Sequence, residues 1–283
     1  MGVPYAEVIG EPVAHSSSPL IHAFWLEKLG IEADYRRTEV AAGNLEAHLA
    51  GRRGDPDWRG CNVTMPHKQA VMPLLDRFDP AAERIGAVNT IVAENGALVG
   101  YNSDAGGFLE PLQPLLAQQH LFRMARVFGA GGAARAVVDA LRGAGFALVV
   151  AARRIEEAEK LVAGLDRHFN HAVSLGHFRE ATAFAFDDRQ GIFDLIVNTT
   201  PLGMAGRDRL PLDFSHVPPG AIVYDAVYDP VETPLLAEAR EHGHETIDGL
   251  AMLIGQAAIA FPLFFGAPAP RDHDAELRER LTR

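Results

Sequence analysis

The sequence predicts an α/β protein of two domains, one built on a mixed sheet and one on a parallel sheet. Three observations support this prediction. The chain has 283 residues, which is about twice the length of a common single domain. Short apolar segments alternate with helical segments along it. A glycine-rich turn near the middle of the chain then opens a second series of the same kind.

The first predicted elements are a strand at 5–10 and a helix that ends at Leu29, just before Gly30. Ser18 followed by Pro19 is typical of an N-cap and a first helical position. The sequence therefore predicts a helix that begins after Ser18.

Two more strands are expected at 33–40 and 60–63, and Pro66 is expected to open a helix after the second of them. Asn95 and Gly96 lie between two apolar segments, which is typical of a two-residue hairpin turn. Because a hairpin joins antiparallel strands, this first sheet is expected to be mixed.

The segment 105–116 is expected to form one helix that leads into the second series of strands. Those strands are predicted at 124–128, 147–152, 195–198 and 221–226. The apolar stretch 250–265 is shorter than the roughly 20 residues of a membrane-spanning helix, so a buried helix is expected there. We place the first domain at 1–104, completed by 249–283, and the second at 105–248.

Composition excludes several classes of function. The chain is 48% hydrophobic and 22% charged, as in ordinary globular proteins. A formal net charge of −11 without a basic segment argues against nucleic acid as a partner. One cysteine, Cys61, cannot form an internal disulfide and fits a reducing compartment. The N-terminal residues lack the pattern of a secretory signal. We therefore expect a cytoplasmic protein that does not bind membranes.

The second domain contains VFGAGGAARAVVDAL, which places Gly129, Gly131 and Ala134 at the spacing of a dinucleotide-binding fingerprint. Gly129 permits the tight turn, Gly131 lets a pyrophosphate approach the backbone, and Ala134 allows close helix packing. The alternative is a glycine-rich turn that binds nothing. The order of strand, turn and helix favours a Rossmann-type domain.

Arg153 and Arg154 follow the next strand, where an NAD-dependent enzyme commonly places an acidic residue. A guanidinium offers paired donors to a phosphate, whereas a carboxylate repels it. This pattern favours NADP over NAD, and the alternative is two solvated arginines at a helix start.

Four short polar segments stand out in the first domain: HSSSP from His15, NVTMPHK from Asn62, GAVNT from Gly86 and GYNSD from Gly100. Each lies at a predicted strand end, where open α/β sheets collect ligands. Taken singly, each is also explained by helix capping or turn formation.

Together these segments resemble those of the shikimate dehydrogenase family, and the resemblance extends to YDAVYDPVETPLL and DGLAMLIGQAA near the C-terminus. It implies reversible, NADPH-dependent reduction of 3-dehydroshikimate to shikimate in aromatic amino acid (chorismate) biosynthesis. It also implies an active site in a cleft between the two domains.

The resemblance assigns roles to individual residues. Ser16 and Ser18 are expected to hold the substrate carboxylate, and Lys68 and Asp104 to be catalytic. An ammonium beside the carbonyl oxygen can protonate the developing alkoxide and stabilise its charge. Asp104 is expected to orient Lys68, although a surface ion pair is the alternative. Further substrate contacts are expected from Asn62, Thr64, Asn89, Tyr228 and Gln256.

Beyond the glycines and arginines already named, the candidate cofactor contacts are Ala130, Gly132, Ala133, Ala152, Thr199, Thr200, Ala226 and Gly249. The family usually has Asn, Arg, then Ser or Thr where this chain has Ala152, Arg153 and Arg154. Arg153 keeps the expected position, and the Asn amide is lost. Ser103 stands where the family more often has Thr.

Two other functions stay open at this point. One is a paralogue that oxidises quinate, or acts on an amino analogue, with NAD. The other is a non-catalytic nucleotide-binding module, against which the retained Lys68 and Asp104 argue. No metal is expected, although His168 and His171 could share a helix turn. The sequence leaves open a monomer or a homodimer.

Overall fold

The structure, a computed structural model, describes residues 2–187 and 189–283. The chain divides into two compact units. The first unit comprises Met1–Gly107 and Leu253–Arg283, and the second comprises Phe108–Met252. Each unit is built on one six-stranded sheet. The predicted α/β class, with a mixed sheet followed by a parallel one, is confirmed. The assignment of substrate and cofactor to separate domains stays a prediction.

The first unit contains a mixed sheet. The elements in chain order are β1 (Tyr5–Gly10), α1 (Ser18–Leu29), β2 (Asp34–Glu39), α2 (Leu45–Arg53), β3 (Trp58–Val63), β4 (Arg77–Phe78), α3 (Pro80–Ile85), β5 (Thr90–Glu94), β6 (Ala97–Tyr101) and α4 (Asp104–Leu109). The strand order in the sheet is β2-β1-β3-β5-β6-β4. Neighbouring strands β1, β2 and β3 are parallel, whereas β5 is antiparallel to both β3 and β6.

Both faces of this sheet are covered, which explains why every residue of β1 is buried. Successive side chains of a strand point to opposite faces. Ile9 packs in one apolar cluster with Cys61 and Ile91. Its neighbour Val8 packs in another cluster with Phe264. The single thiol, Cys61, is 0% exposed.

The second unit contains a sheet in which all paired strands are parallel, in the order β12-β11-β10-β7-β8-β9. The remaining elements of the chain are α5 (Gln113–Leu116), β7 (Phe122–Phe128), α6 (Gly132–Gly143), β8 (Ala147–Ala152), α7 (Ile155–Val162), β9 (His171–Ser174), β10 (Ile192–Asn198), β11 (Ile222–Asp225), α8 (Pro234–Glu241), β12 (Thr246–Ile247), α9 (Gly249–Phe265) and α10 (Asp274–Leu281). Chain order reverses at the β7–β10 pair, so this is the switch point at which such sheets bind ligands.

The hairpin at Asn95 and Gly96 is confirmed, since both residues have positive φ, 51° and 81°. Left-handed conformation at both central positions suits the twist of the flanking strands. The start of α1 differs from the prediction by one position. Ser17, not Ser18, is the N-cap, and Ser18 is the first residue of the helix.

The helix expected after Pro66 is wrong. Residues 65–71 form successive turns that lead into a short 3₁₀ helix, Met72–Leu74. Val88 donates its backbone N–H to the Lys68 carbonyl at 2.7 Å, which ties this segment to the sheet. Pro73 also disfavours helical conformation at the residue before it. The hydrogen bond to Val88 and the proline at 73 account for turns in place of a continuous helix.

The single helix predicted over 105–116 is also wrong. Asp104–Leu109 is followed by a 3₁₀ segment, Glu110–Leu112, and then by a short helix, Gln113–Leu116. Pro111 and Pro114 lack the backbone N–H that a continuous helix needs. The two prolines therefore divide the segment into three pieces.

His168 and His171 do not share a helix turn, contrary to the sequence interpretation. Asp166 accepts a hydrogen bond from the His168 backbone N–H at 2.9 Å, a turn typical of Asp. His171 is the first residue of β9. Within residues 2–187 and 189–283, no group of three or more His, Cys, Asp or Glu side chains is placed to hold a metal ion.

The helix predicted over the apolar stretch at 250–265 is confirmed as α9, with Pro262 inside it. Its side chains Ala257 and Phe261 pack in one apolar cluster with Ile21 and Trp25 of α1. None of the helices in the described residues is long and apolar enough to cross a membrane.

Candidate active site

The polar segments of the first unit collect at one edge of its sheet. Strands β1, β3 and β6 end at this edge, and the antiparallel β5 begins there. HSSSP follows β1, Thr64 follows β3, Asn89 precedes β5, and Asp104 follows β6. The topology therefore brings together residues that lie far apart in the sequence.

Lys68 and Asp104 form an ion pair with 2.5 Å between Lys68 Nζ and Asp104 Oδ2. Their side chains are 15% and 6% exposed. The backbone N–H of Asp104 contacts Asn102 Oδ1 at 3.1 Å, which orients the first turn of α4. A partly buried ammonium with one fixed carboxylate partner retains further donors for a ligand oxygen.

Asn89 fixes the other oxygen of this carboxylate. Its Nδ2 donates to Asp104 Oδ1 at 2.9 Å and to Ser103 Oγ at 2.8 Å. Its Oδ1 accepts from the Ser103 backbone N–H at 2.8 Å. Asn89 is 2% exposed, so these hydrogen bonds stand in a low-dielectric setting where they hold geometry firmly.

Gln256 reaches the same cluster from α9. Its Oε1 lies 3.3 Å from both Asn89 Nδ2 and Ser103 Oγ. The approach of α9 to α4 depends on Gly107, because a Cβ there would lie 2.4 Å from the Gln256 backbone N. Ser103 belongs to the cluster as well, although its place in the motif predicted only a replacement for the commoner Thr.

Asn62 joins the cluster through the strands. Its Nδ2 contacts Thr90 Oγ1 at 3.0 Å and the Asn89 carbonyl at 3.2 Å. Its Oδ1 accepts from the Tyr35 hydroxyl at 2.6 Å. The carboxamide of Asn62 is therefore engaged within the protein, where it supports Asn89.

Ser16, Ser18 and Thr64 lie on neighbouring segments of the same unit. Ser16 and Ser18 are adjacent, since the Ser18 backbone N–H lies 3.4 Å from Ser16 Oγ. Arg37 Nε donates to the Ser16 carbonyl at 2.9 Å. A Cβ at Gly10 would lie 2.4 Å from Thr64 Cγ2, so Gly10 makes room for Thr64.

His67 holds the segment that carries Lys68. Its Nε2 lies 2.6 Å from the Val40 carbonyl. Since a carbonyl only accepts, Nε2 carries the hydrogen. Its buried Nδ1 has no hydrogen-bond partner among the residues that the structure describes. His67 therefore has a structural contact that fixes the backbone beside Lys68.

The glycine-rich turn of the second unit fits closely against the end of β10. Gly129 has φ 120°, and a Cβ there would lie 2.3 Å from Thr199 Oγ1. Thr199 donates its hydroxyl to the Phe128 carbonyl at 2.7 Å. Only glycine suits this position, because both the backbone conformation and the close approach exclude a side chain.

The start of α6 fits a dinucleotide phosphate. Gly131 is its N-cap and contributes no side-chain cap. A Cβ at Gly131 would meet nothing within 4 Å, so Gly131 borders open space at the end of the helix where backbone N–H groups commonly bind phosphate. Arg135 Nε is buried and lacks a hydrogen-bond partner within the described part of the chain. Arg153 and Arg154 are exposed after β8.

The remaining cofactor candidates lie after β10 and β11. Ala226 donates its backbone N–H to the Asn198 carbonyl at 2.9 Å. A Cβ at Gly249 would lie 2.4 Å from the Val227 carbonyl oxygen, so the start of α9 approaches this backbone closely. Thr200 contacts Asn198 Oδ1 through its hydroxyl at 2.7 Å. Tyr228 is half-buried in the second unit.

Comparison with known proteins assigns the family. Residues 8–91 match the model of the shikimate dehydrogenase substrate binding domain. A shikimate dehydrogenase (NADP(+)) from Sphingopyxis alaskensis is 50% identical over 279 residues, covering 98% of this chain and 97% of the relative. One from Citrifermentans bemidjiense is 42% identical over 98% of this chain and 95% of the relative.

A solved structure agrees with these relatives. The shikimate 5-dehydrogenase from Thermus thermophilus, in complex with NADP(H) and shikimate, matches with a TM-score of 0.81 and 38% identity. The match covers 98% of this chain and 99% of that one. On the family model, the full-length identity and the shared fold, the chain belongs to the shikimate dehydrogenase family.

Proposed function

We propose that this protein catalyses the reversible reduction of 3-dehydroshikimate to shikimate with NADPH. The observation that carries this proposal is the 2.5 Å ion pair between Lys68 and Asp104, whose second oxygen is held by Asn89. The ion pair is not a surface one, since Asp104 is 4% exposed. A partly buried, oriented ammonium can supply the proton that carbonyl reduction requires.

Bound NADPH supplies the hydride, and the protein manages the proton. Where a hydride from the cofactor would convert the carbonyl to an alkoxide, Lys68 Nζ donates a proton to the carbonyl oxygen and is reprotonated from solvent. Asp104 keeps Lys68 in place and accepts a hydrogen bond from a ring hydroxyl. In the reverse direction Lys68 removes the hydroxyl proton.

The remaining side chains position the substrate. Ser16 and Ser18 are adjacent hydroxyl donors, which suits a single carboxylate. Asn89 and Gln256 lie beside Asp104 and are proposed to bind ring hydroxyls. Thr64 and Tyr228 are further proposed contacts. Asn62 is a further proposed contact, and its amide also holds Thr90 and Asn89.

The cofactor is proposed to bind along the carboxyl edge of the parallel sheet. The open N-terminus of α6, with Gly131 as its N-cap, takes the pyrophosphate. Arg153 and Arg154 take the 2′-phosphate. The relatives from Sphingopyxis alaskensis and Citrifermentans bemidjiense are both named as NADP(+) enzymes, which supports NADP over NAD here.

The test is a set of turnover assays with NADP⁺ and shikimate, beside NAD⁺ and quinate. Lys68→Ala is the informative variant. Lys28→Ala is its matched control, because Lys28 also pairs with a carboxylate of the first unit, Glu276, at 2.6 Å. We expect Lys68→Ala to lose about 10³-fold or more in kcat. Shikimate binding should persist, and Lys28→Ala should stay within about twofold.

Each other outcome has a defined meaning. Turnover mainly with quinate and NAD⁺ would assign the chain to that paralogue. Binding of NADP⁺ and shikimate without turnover would make it a nucleotide-binding module. Equal losses in Lys68→Ala and Lys28→Ala would remove Lys68 from the chemistry. The cytoplasmic location and the monomeric or homodimeric state stay predictions, and light scattering on the purified protein decides the second.

A further inference from the structure

Asp225 is a fully buried carboxylate that lies outside the residues assigned above. It is the last residue of β11 and is 0% exposed. Burial raises its pKa to about 6, although hydrogen bonds from Thr233, Val227 and Asn198 oppose that rise. Burying an ionisable group destabilises the fold unless hydrogen bonds compensate for its lost hydration.

The hydrogen bonds of Asp225 hold two loops at once. Its Oδ1 accepts from Asn198 Nδ2 at 2.9 Å and from the Val227 backbone N–H at 3.0 Å. Its Oδ2 accepts from the Thr233 hydroxyl at 2.7 Å. Thr233 is the N-cap of α8. One carboxylate therefore joins the ends of β10 and β11 to the start of α8.

Asn198 extends the hydrogen bonds of Asp225 to Thr200. It pairs in register with Asp225 across the two strands. Its Oδ1 accepts from the Thr200 backbone N–H at 3.0 Å and from the Thr200 hydroxyl at 2.7 Å. Its Nδ2 also donates to the Leu202 carbonyl at 3.0 Å. The position of Thr200 is thus set through Asn198 by Asp225.

The location of these loops identifies the part of the cofactor that they face. In a sheet of this order the pyrophosphate lies at the switch point, here between β7 and β10. The arginines that suit the 2′-phosphate follow β8, on one side of that point. The loops after β10 and β11 lie on the other side, so they face the nicotinamide half.

We propose that Asp225 is a positioning residue for the nicotinamide half of the cofactor site, acting through Asn198 and the Val227 backbone. This inference rests on the proposed function. Asp225 does not touch the reacting atoms in this scheme. It sets the backbone at 226–228 and the hydroxyl of Thr200.

The test compares two ligands on the full-length protein. NADP⁺ reports on both halves of the cofactor site, whereas 2′,5′-ADP lacks the nicotinamide half. In Asp225→Ala we expect NADP⁺ affinity to fall about tenfold or more, because Asn198 and the Val227 backbone N–H lose their shared acceptor. We expect 2′,5′-ADP affinity to stay within about twofold, and shikimate affinity likewise.

Asp225→Asn is the conservative variant. Its Oδ1 can accept from Asn198 and Val227 as before, and its Nδ2 can donate to Thr233 Oγ1. We expect it to recover NADP⁺ affinity to within about threefold of the unmodified protein. Thr233→Val is the control for simple destabilisation, since it removes one hydrogen bond and the cap of α8. It should lower the melting temperature and leave the ratio of the two affinities unchanged.

If Asp225→Ala does not fold, Asn198→Ala tests the same connection and should give the same loss for NADP⁺ alone. Equal losses for NADP⁺ and 2′,5′-ADP, or no loss for either, would overturn the positioning role. Absence of shikimate turnover in the unmodified protein would refute the proposed function. The affinity ratio would still decide the role of Asp225, so the two failures are distinguishable.

Discussion

Asn89 Nδ2 donates to Asp104 Oδ1 at 2.9 Å, on the oxygen opposite the one that Lys68 contacts. The carboxylate is therefore held at both of its oxygens. Ser103 supports Asn89 in turn, by accepting from its Nδ2 and donating its backbone N–H to its Oδ1. The ion pair is thus a part of a hydrogen-bonded network that is already formed in the protein alone.

Asn89→Ala should lower activity more than it lowers stability. The substitution leaves Asp104 Oδ1 and the Ser103 N–H without their partner, which costs about 1–3 kcal/mol of unfolding free energy. We expect kcat/KM for shikimate to fall by roughly 10²-fold, as Lys68 and Asp104 lose their fixed orientation. Steady-state kinetics and urea unfolding measure the two effects. Asn44→Ala, at an exposed position, should change neither.

Gly107→Ala should displace Gln256, whereas the neighbouring Gly106→Ala should not. The new Cβ at 107 would lie 2.4 Å from a backbone nitrogen of α9, while at 106 it would meet only the tip of Ile259, at 2.6 Å. We expect Gly107→Ala to cost about 1–3 kcal/mol and to raise the KM for shikimate. Gly106→Ala should be neutral or slightly stabilising. Similar KM values for the two variants would contradict this account.

Arg153→Ala should weaken NADP⁺ and leave NAD⁺ unaffected. Loss of a charge-assisted hydrogen bond to the 2′-phosphate costs about 1.5–3 kcal/mol. The KM for NADP⁺ should therefore rise at least about tenfold. Arg154→Ala should act in the same direction, and Arg167→Ala, at another exposed position of the second unit, should have no effect. A parallel rise in both KM values would remove the arginines from 2′-phosphate recognition.

Glu7 makes the stability of the protein depend on pH in the acid range. Burial alone would raise its pKa, but hydrogen bonds from His48, Arg52 and Thr38 outweigh burial and lower the pKa to about 2. Its side chain is 0% exposed. A carboxyl with a depressed folded-state pKa contributes stability above its unfolded pKa of about 4.5 and loses it as the pH falls towards 2.

Urea unfolding at pH 7 and pH 3 tests this, with Glu7→Gln as the variant and the exposed Glu46→Gln as the control. The unmodified protein should exceed Glu7→Gln in stability at pH 7. That difference should shrink by about 2 kcal/mol at pH 3. A constant difference across the two pH values would show that the charge of Glu7 is not what stabilises the fold.

Regular periodicity made much of the fold predictable. Ala147–Ala152 and the hairpin at Asn95 were predicted at their observed positions, since strand alternation and turn chemistry are local properties. The turns that replace the helix predicted after Pro66 were not predictable from the local sequence pattern. That segment is fixed by the distant hydrogen bond from Val88 to Lys68 and by the contact of His67 with Val40.

The candidate site, like the fold, was predictable only in part. Lys68, Asn89 and Asp104 were named from their motifs, and the structure brings them together by hydrogen bonds. The partner of Asn62 was not predictable, because the Tyr35 hydroxyl that engages it lies on another strand. Asn198 and Asp225 were missed, although both are polar residues at the carboxyl ends of neighbouring parallel strands. That position was itself a usable signal.

Because Cys61 is buried, its chemical reactivity reports on local unfolding of the first unit. The chain has one thiol, it lies on β3 inside the first unit, and burial raises its pKa well above the ordinary value. The reactive thiolate forms only when that residue reaches water. The rate of alkylation therefore follows the local unfolding of one unit, and it remains unaffected by fluctuations confined to the other.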